Sequence, residues 1–237
     1  MSEPLRKLDA LILCGGLGKR LRSVLKDKPK CMARFQGRPF LDMQIHYLSK
    51  YGIKRVILCL GYKANVVKSH YKNKRGIIFS QEFVPLGTAG AIKKAQRLIK
   101  SNPFLVLNGD SICSLDLVDF LNFHKNKSAW ATVCLVRTNR SAERSDFGAV
   151  TLDSKKRIVK FLEKKDTRAN FTNAGIYLFD KKVLSQIPVR KKYSLELDLF
   201  KKPRKDFYGF IAEGPCIDIG TPARFEKAKK VLAEWKF

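Results

Sequence analysis

ALILCGGLGKRL, residues 10–21, joins a short apolar run directly to three glycines and two cations. The apolar run predicts a buried strand. Glycine has no Cβ, so the backbone at Gly15, Gly16 and Gly18 can bring its N–H groups close to an anion. Lys19 and Arg20 add positive charge at the same place. The stretch therefore predicts a phosphate-binding loop at the end of a strand, against the alternative of a purely structural turn.

Two common phosphate loops are excluded by the residues themselves. A dinucleotide fingerprint, G-x-G-x-x-G, needs a third glycine where this chain has Leu21. A P-loop needs a glycine where Leu13 stands and a serine or threonine where Arg20 stands. The loop therefore belongs to another class of nucleotide-binding protein.

Length and composition predict one folded α/β domain. The chain has 237 residues, 45% of them hydrophobic and 29% charged, enough for one substantial core. No apolar run approaches the roughly 20 residues of a membrane span, and the first apolar run is too short for a secretory signal. We expect a cytoplasmic protein with no membrane partner.

The six cysteines are spread along the chain without a C-x-x-C pair or a neighbouring histidine cluster. They are Cys14, Cys31, Cys59, Cys113, Cys134 and Cys216. Most follow apolar, strand-like residues, so we expect buried reduced thiols rather than a zinc site or a disulfide framework. The three histidines are equally scattered and predict no metal site.

The formal net charge is +27, from 48 lysines and arginines against 21 aspartates and glutamates. Basic clusters recur throughout the sequence and are not gathered in one tail or segment, which favours a generally basic surface that attracts anionic substrates. Non-specific nucleic-acid binding at low salt is expected from such a surface. A specific nucleic-acid role is the less favoured alternative.

The order of apolar and amphipathic segments predicts βαβ units in the first half of the chain. Strands are predicted at 11–14, 55–60, 77–80, 104–107, 132–137, 148–152, 158–162 and 175–179. Helices are predicted at 40–50, 63–71, 88–99, 115–124 and 222–234, the last with Thr221 as its N-cap and Pro222 in its first turn. The fold class is therefore α/β, with a Rossmann-like, mostly parallel mixed sheet flanked by helices, and the second half extends the sheet over one side of the pocket.

Two aspartates follow apolar strands and predict a metal site. Asp110 follows the strand at 104–107, and Asp218 follows Cys216-Ile217. Ligands of open α/β sheets bind at the carboxyl ends of the strands. Two carboxylates there fit Mg²⁺, which takes one or two carboxylates together with phosphate oxygens. For Asp110 alone, capping of the next helix is the alternative.

Other short segments are individually weaker signals. Lys30, stiffened by Pro29, is either a phosphate ligand or an ordinary loop lysine. Gly87-Thr88 begins a helix with small residues that let a flat base approach, or Thr88 simply caps that helix. Glu163-Lys164 and Asn173 lie at the ends of strands, where polar residues are common.

Taken in order, these segments resemble the sugar-1-phosphate nucleotidyltransferase family over nearly the whole chain. The matching segments are residues 15–21, 29–30, 86–90, 108–110, 163–164, 173–175 and 218–222. Within the family, the Leu-Cys-Gly-Gly opening and the Leu-Gly-Thr-Ala-Gly segment look most like the bacterial D-glycero-D-manno-heptose 1-phosphate guanylyltransferases. The resemblance implies a single GT-A-like nucleotidyltransferase domain, with a nucleotide-binding half at 9–128 and a sugar-binding, closing half at 129–237. The chain ends soon after the last predicted helix, so no hexapeptide-repeat domain is expected.

The resemblance implies transfer of a nucleoside monophosphate from a nucleoside triphosphate, GTP, to D-glycero-D-manno-heptose 1-phosphate, with release of pyrophosphate. Arg20, Lys30 and Asp110 would be catalytic, and Asp110 and Asp218 would bind Mg²⁺. The nucleotide would be bound by Leu13, Gly15, Gly16, Gly18, Lys19, Arg20, Gln81, Leu86, Gly87, Thr88 and Gly109. The sugar phosphate would be bound by Gly148, Glu163, Lys164 and Asn173. A homodimer is a further expectation.

Two alternatives stay open from the sequence. The base could be uracil, cytosine or thymine and the sugar another hexose, because base choice depends on a few pocket contacts. From a different class, the chain could be a non-catalytic regulatory or RNA-binding protein with this fold. Lys30, Asp110 and Asp218 favour an enzyme over that regulator. Two departures from the family pattern are Lys19, where threonine is usual, and Cys31, where proline is usual.

Overall fold

The computed structural model describes residues 3–25, 28–137, 148–162, 170–201 and 204–234. Its strands are β1 (Asp9–Cys14), β2 (Arg34–Phe35), β3 (Arg38–Pro39), β4 (Arg55–Leu60), β5 (Ile77–Gln81), β6 (Phe104–Asn108), β7 (Ser111–Cys113), β8 (Ala131–Arg137), β9 (Ala149–Leu152), β10 (Ile158–Leu162), β11 (Phe171–Phe179), β12 (Phe207–Ile211) and β13 (Cys216–Asp218). Its helices are α1 (Glu3–Arg6), α2 (Arg22–Leu25), α3 (Phe40–Lys50), α4 (Ala64–Tyr71), α5 (Gly87–Lys94), α6 (Leu117–Asn126) and α7 (Pro222–Glu234). Short 3-10 turns at Lys19–Leu21, Lys30–Met32, Gln96–Leu98 and Lys181–Gln186, and a π-turn at Leu195–Leu199, complete the elements.

A nine-stranded mixed sheet forms the centre of the fold. Seven of its strands follow the order β10-β9-β11-β6-β1-β4-β5, and β8 pairs with β11 and β12. Strands β6, β1, β4 and β5 are parallel, as βαβ units require. Strand β11 is antiparallel to β6 and joins the second half of the chain to the first. The predicted α/β fold with a mixed, largely parallel sheet is confirmed.

Helices cover both faces of the sheet, and β1 is apolar on both of its sides. Ala10 and Ile12 belong to one core cluster, which also contains residues of α3, α4 and α6. Leu11 belongs to a second cluster, which contains Ala89 and Ile92 of α5. Successive side chains of a strand point to opposite faces, so an unbroken apolar run predicts a strand buried on both sides.

The final helix begins as predicted. Pro222 is its first residue, and the Thr221 carbonyl accepts the N–H of Phe225 at 2.8 Å. Thr221 Oγ1 also accepts the N–H of Arg224 at 3.4 Å. The helix predicted at 88–99 is shorter than expected, since α5 ends at Lys94 and a 3-10 turn follows.

The prediction of six reduced thiols is wrong for one pair. Cys113 and Cys216 form a disulfide, with their Cα atoms 4.1 Å apart. They face each other because β7 and β13 are antiparallel and pair these two positions. The cysteines are 103 residues apart in sequence, so their spacing carries no sign of the contact. Cys14, Cys31, Cys59 and Cys134 are buried free thiols, as predicted.

Within the described ranges, each helix is too short or too polar to cross a lipid bilayer.

Candidate active site

The glycine loop leaves the sheet at its centre, where β1 lies between β4 and β6. Because these strands are parallel, their carboxyl ends share one edge, where ligands of open α/β sheets bind. Gly18 adopts a φ of +56°, a left-handed conformation that glycine reaches without strain. Its carbonyl accepts the N–H of Leu21 at 2.9 Å, which closes the 3-10 turn that carries Lys19 and Arg20.

A cavity of about 500 Å³ opens beside this loop. Its walls contain eleven of the residues predicted to bind the nucleotide or to act in catalysis. These are Leu13, Gly15, Gly16, Gly18, Lys19, Arg20, Lys30, Gly87, Thr88, Gly109 and Asp110. Segments far apart in sequence thus meet at one place, with lysine and arginine side chains along the glycine loop.

Lys30 joins the loop to the two predicted metal ligands. Its ammonium group forms an ion pair with the Asp110 carboxylate, and its Cβ lies close to Gly18. Asp218 lies near Lys30, since a Cβ placed on Gly220 would be 2.6 Å from Asp218 Oδ1 and 3.2 Å from Lys30 Nζ. Asp110 therefore makes a partly buried ion pair, and the alternative that it caps a helix is not observed; Asp116 caps α6 instead.

Strand pairing brings the two aspartates together. Asp218 of β13 pairs with Ser111 of β7, the residue after Asp110. The N–H of Ile219 donates to the Asp110 carbonyl at 2.9 Å. Burial raises the pKa of Asp218, and the nearby negative charge of Asp110 raises it further, against the opposing effect of Lys30. Two carboxylates close enough to disfavour each other's charge are a suitable pair of ligands for a divalent cation.

The donor set fits Mg²⁺ only with help from substrate. In the ranges the structure describes, no cluster of three or more histidine, cysteine, aspartate or glutamate side chains is arranged to hold a metal ion. Asp110 and Asp218 offer hard carboxylate oxygens, and Mg²⁺ commonly completes such a pair with phosphate oxygens and water. Arg224 Nη1, 3.2 Å from Asp218 Oδ1, and the Gly220 N–H, 2.8 Å from the same oxygen, hold that carboxylate in place.

The start of α5 is shaped by close backbone contacts. Gly87 has a φ of +73°, and a Cβ there would lie 2.7 Å from the Tyr193 carbonyl oxygen. Thr88 does not cap α5, which was the alternative reading of its position. Its Oγ1 accepts the N–H of Leu195 at 2.8 Å and donates to Glu196 Oε2 at 3.4 Å. Only glycine fits at position 87, the first residue of α5. Without a side chain at this position, the backbone of α5 itself lines the cavity.

Two residues predicted to bind nucleotide lie outside the cavity wall. Gln81 is the last residue of β5, and its Oε1 accepts a hydrogen bond from Lys68 Nζ of α4 at 2.5 Å. Its neighbour Glu82, the residue after the end of β5, lines the cavity instead. Leu86 is buried, and its carbonyl accepts the N–H of Tyr193 at 2.8 Å.

The residues predicted to bind the sugar phosphate are only partly described. Glu163 and Lys164 lie outside the described residues. The Gly148 carbonyl accepts the N–H of Asn173 at 3.0 Å, so these two positions are neighbours. The Asn173 amide is already engaged: its Nδ2 donates to the Tyr177 hydroxyl at 2.8 Å, and its Oδ1 accepts the N–H of Gly175 at 2.9 Å.

Sequence reasoning missed several residues of this region. Glu82 and Lys192 line the cavity, Arg224 holds Asp218, and Glu196 lies within 3.3 Å of the Tyr177 hydroxyl. None of them belongs to a motif that identifies it. Only Glu82 carried a usable signal, since it lies two residues after the predicted strand at 77–80, which ends at the ligand edge of the sheet.

A glycine loop, a lysine and a strand-end aspartate line one cavity, and Asp218, which does not line it, lies beside that aspartate. This arrangement defines a nucleotide-binding α/β enzyme. The chain belongs to the nucleotidyl transferase family, whose model matches residues 9–234. The resemblance found from the motifs is thereby confirmed.

Three relatives illustrate the similarity. D-glycero-alpha-D-manno-heptose 1-phosphate guanylyltransferase of Aneurinibacillus thermoaerophilus is 38% identical, over 96% of this chain and 100% of that one. The protein of the same name from Campylobacter jejuni is 36% identical, over 91% of this chain and 96% of its own length. The crystal structure of HddC from Yersinia pseudotuberculosis, complexed with GMP-PN, is 34% identical with a TM-score of 0.82, over 95% of this chain and 99% of that chain.

Proposed function

We propose that this protein transfers a guanylyl group from GTP to D-glycero-D-manno-heptose 1-phosphate and releases pyrophosphate. The observation that carries the proposal is the position of Lys30, which is paired with Asp110, lies near Asp218 and lies against the end of the glycine loop. This is the arrangement that a phosphoryl-transfer site needs, because positioning and charge neutralisation supply most of the catalysis. The choice of base and sugar rests on the similarity to the heptose 1-phosphate guanylyltransferases.

The reaction is an in-line displacement at the α-phosphorus. An oxygen of the sugar 1-phosphate forms a bond to that phosphorus, and the bond to the bridging oxygen of the β-phosphate breaks, so that pyrophosphate leaves with the electron pair. The backbone N–H groups of the glycine loop, with Lys19 and Arg20, hold the triphosphate. Lys30 offsets the charge that builds up at the α-phosphate.

Asp110 and Asp218 would hold Mg²⁺, which supplies further neutralisation of phosphate charge when it is bound. Lys30 then keeps one carboxylate oriented through the ion pair, and Arg224 orients the other. On the sugar side, Gly148 and Asn173 would line the acceptor region together with Glu163 and Lys164.

We propose that the enzyme works in the cytoplasm, where its two substrates are soluble anions, and that it forms a homodimer.

A matrix of four nucleoside triphosphates against several sugar 1-phosphates, with Mg²⁺ present, tests the proposed function through pyrophosphate release. We expect the highest kcat/KM for GTP with D-glycero-D-manno-heptose 1-phosphate. Mannose 1-phosphate and glucose 1-phosphate serve as alternative acceptors. A preference for UTP, CTP or dTTP, or for a hexose 1-phosphate, would contradict the proposal while leaving the family assignment intact.

A further inference from the structure

The ribbon of β7 and β13 carries a redox-sensitive bond at one end and the two proposed metal ligands at the other. It is a two-stranded sheet of its own, apart from the nine-stranded sheet. Cys113 pairs with Cys216, and two positions further along Ser111 pairs with Asp218. Asp110 directly precedes Ser111. The disulfide and the two carboxylates are therefore attached to the same short pair of strands.

Non-covalent contacts keep the ribbon together but leave its alignment weakly determined. Its register contains three residue pairs, and a two-stranded ribbon by itself is marginally stable in water. Ile112 and Ile217 are buried in the core cluster that also contains Leu232 of α7. Beyond the disulfide, the N–H of Ser114 donates to the Pro215 carbonyl at 2.9 Å. The disulfide adds a covalent limit on how far one strand can slide or turn against the other.

Like charges oppose close approach at the carboxylate end of the ribbon. Asp110 and Asp218 repel each other in a partly buried site. Lys30 offsets part of this repulsion at Asp110, and Arg224 offsets part of it at Asp218. A divalent cation needs both carboxylates to point at one place. A cross-link that holds the strands in register supplies this arrangement in advance, so cation binding has less ordering to do.

The disulfide is within reach of a dithiol reductant from one side. Cys113 is fully buried, whereas Cys216 is partly exposed and follows the exposed Pro215. A thiolate of the reductant forms a bond to the Cys216 sulfur, the S–S bond breaks, and Cys113 leaves as a thiolate that takes up a proton. The second thiol of the reductant, after losing its proton, displaces Cys216 in the same way. The products are two protein thiols and a disulfide within the reductant.

We propose that the Cys113–Cys216 pair controls cation binding: the disulfide form holds Asp110 and Asp218 in position for a divalent cation, and the dithiol form binds that cation more weakly. This rests on the metal site of the proposed function and adds a regulation of it. The two cysteines are positioning residues that act through the aspartates. Disulfides are rare in a reducing cytoplasm, where those present usually serve catalysis or redox sensing.

The unaltered protein in its two redox states provides the first test. Electron paramagnetic resonance measures the binding of Mn²⁺, used in place of Mg²⁺, with GTP present and no sugar acceptor, so that no transfer takes place. Thiol titration after denaturation identifies the states, because the oxidised protein has four free cysteines and the reduced protein has six. We expect the Kd for Mn²⁺ to be about 10-fold higher in the reduced protein. GTP binding in the presence of EDTA should be the same in both states.

The redox equilibrium of the pair gives the reciprocal measurement. If the disulfide form binds the cation more tightly, the bound cation must favour the disulfide by the same factor. The protein is equilibrated with reduced and oxidised dithiothreitol, with and without Mg²⁺ and GTP, since Mg²⁺ is a hard cation that thiols bind poorly. We expect saturating Mg²⁺ with GTP to shift the equilibrium toward the disulfide by about 10-fold. GTP with EDTA should leave it unchanged.

A double variant separates the disulfide from other effects of the reductant. Cys113→Ala with Cys216→Ala should bind Mn²⁺ as the reduced protein does and should not respond to dithiothreitol. Cys134→Ala is the matched control, since Cys134 is a buried free cysteine in the same core cluster as Cys113. It should keep the 10-fold difference between its redox states. Thermal melting establishes that both proteins are folded, and the two experiments on the unaltered protein decide the question if the double variant does not fold.

Two results would overturn the proposal. One is an equal Kd for Mn²⁺ in the oxidised and reduced proteins. The other is a loss of GTP binding in EDTA that matches the loss of Mn²⁺ binding, which is the mark of a general loosening of the fold. A failure of the proposed function looks different: if another nucleoside triphosphate is the substrate, the same ratio of Mn²⁺ affinities should be found with that nucleotide in place of GTP.

Discussion

Lys30 is the residue through which the parts of the site contact one another. It follows Pro29 in a 3-10 turn, and its side chain reaches Asp110 from one segment and Gly220 from another. The Lys30 ammonium group, close to both carboxylates, offsets part of the repulsion between their negative charges. A phosphate that enters the cavity meets a cation already held in position.

Asp110→Asn should abolish most turnover and leave the fold intact. The change removes a metal ligand and the partner of Lys30 while keeping the side-chain shape, so we expect kcat to fall by at least about 100-fold. Pyrophosphate release measures the rate, and circular dichroism measures the fold. Asp119→Asn, an exposed aspartate of α6, is the control. Near-normal turnover of Asp110→Asn would remove Asp110 from the catalytic site.

Element packing brings the metal ligands together and also buries a titratable group. The ribbon of β7 and β13 places Asp110 and Asp218 side by side and carries the Cys113–Cys216 disulfide.

On another part of the molecule, α6 buries His124 against β8, where its Nδ1 lies 2.9 Å from Thr132 Oγ1. Burial lowers the pKa of His124 to about 4.

His124 should make the protein less stable as the pH falls. Its pKa is lower in the folded state than the unfolded value of 6.5, so the unfolded state binds more protons between these values. The stability present above pH 6.5 is therefore lost as the pH falls toward about 4, by up to about 3 kcal/mol. Urea unfolding at neutral pH and at about pH 4.5 measures the loss.

Two variants separate the contribution of His124 from that of the carboxylates. His124→Gln cannot take up a proton, so it should lose less stability on acidification than the unaltered protein. His46→Gln removes an exposed histidine of α3 and should behave like the unaltered protein. An unchanged acid sensitivity in His124→Gln would show that His124 is not the responsible group.

Across the whole molecule, positive charge is distributed over the surface. Exposed lysines and arginines occur at Lys72, at Lys94, at Lys155, at Lys205 and along α7. With a formal charge of +27, such a surface attracts anions over a distance set by the ionic strength. Substrates that are themselves anions would be drawn toward the cavity.

Nucleic-acid binding should be weak, non-specific and sensitive to salt. Binding releases counterions from the nucleic acid, and this gain becomes smaller as the salt concentration rises, so the affinity falls. We expect two unrelated DNA duplexes to bind equally at low salt and to dissociate by about 150 mM salt. Fluorescence anisotropy across a salt series measures both. Tight binding of one sequence at physiological salt would instead support a specific nucleic-acid role.

The sequence alone determined the fold class, most of the cavity wall and the two strand-end aspartates. These features depend on local chemistry: apolar runs form buried strands, glycines allow close backbone approach, and parallel strands end at a common edge. The ordered motifs were therefore sufficient to indicate the family before any contact was known.

Only the tertiary structure decided which neighbours meet. It placed Glu82 rather than Gln81 in the cavity, set Arg224 against Asp218, and joined Cys113 to Cys216 across 103 residues. Strand register and loop packing determine these contacts, and a shift of one residue along a strand moves a side chain to the opposite face. Motifs specify what a segment can bind, whereas the packing of distant segments determines which side chain is present to bind it.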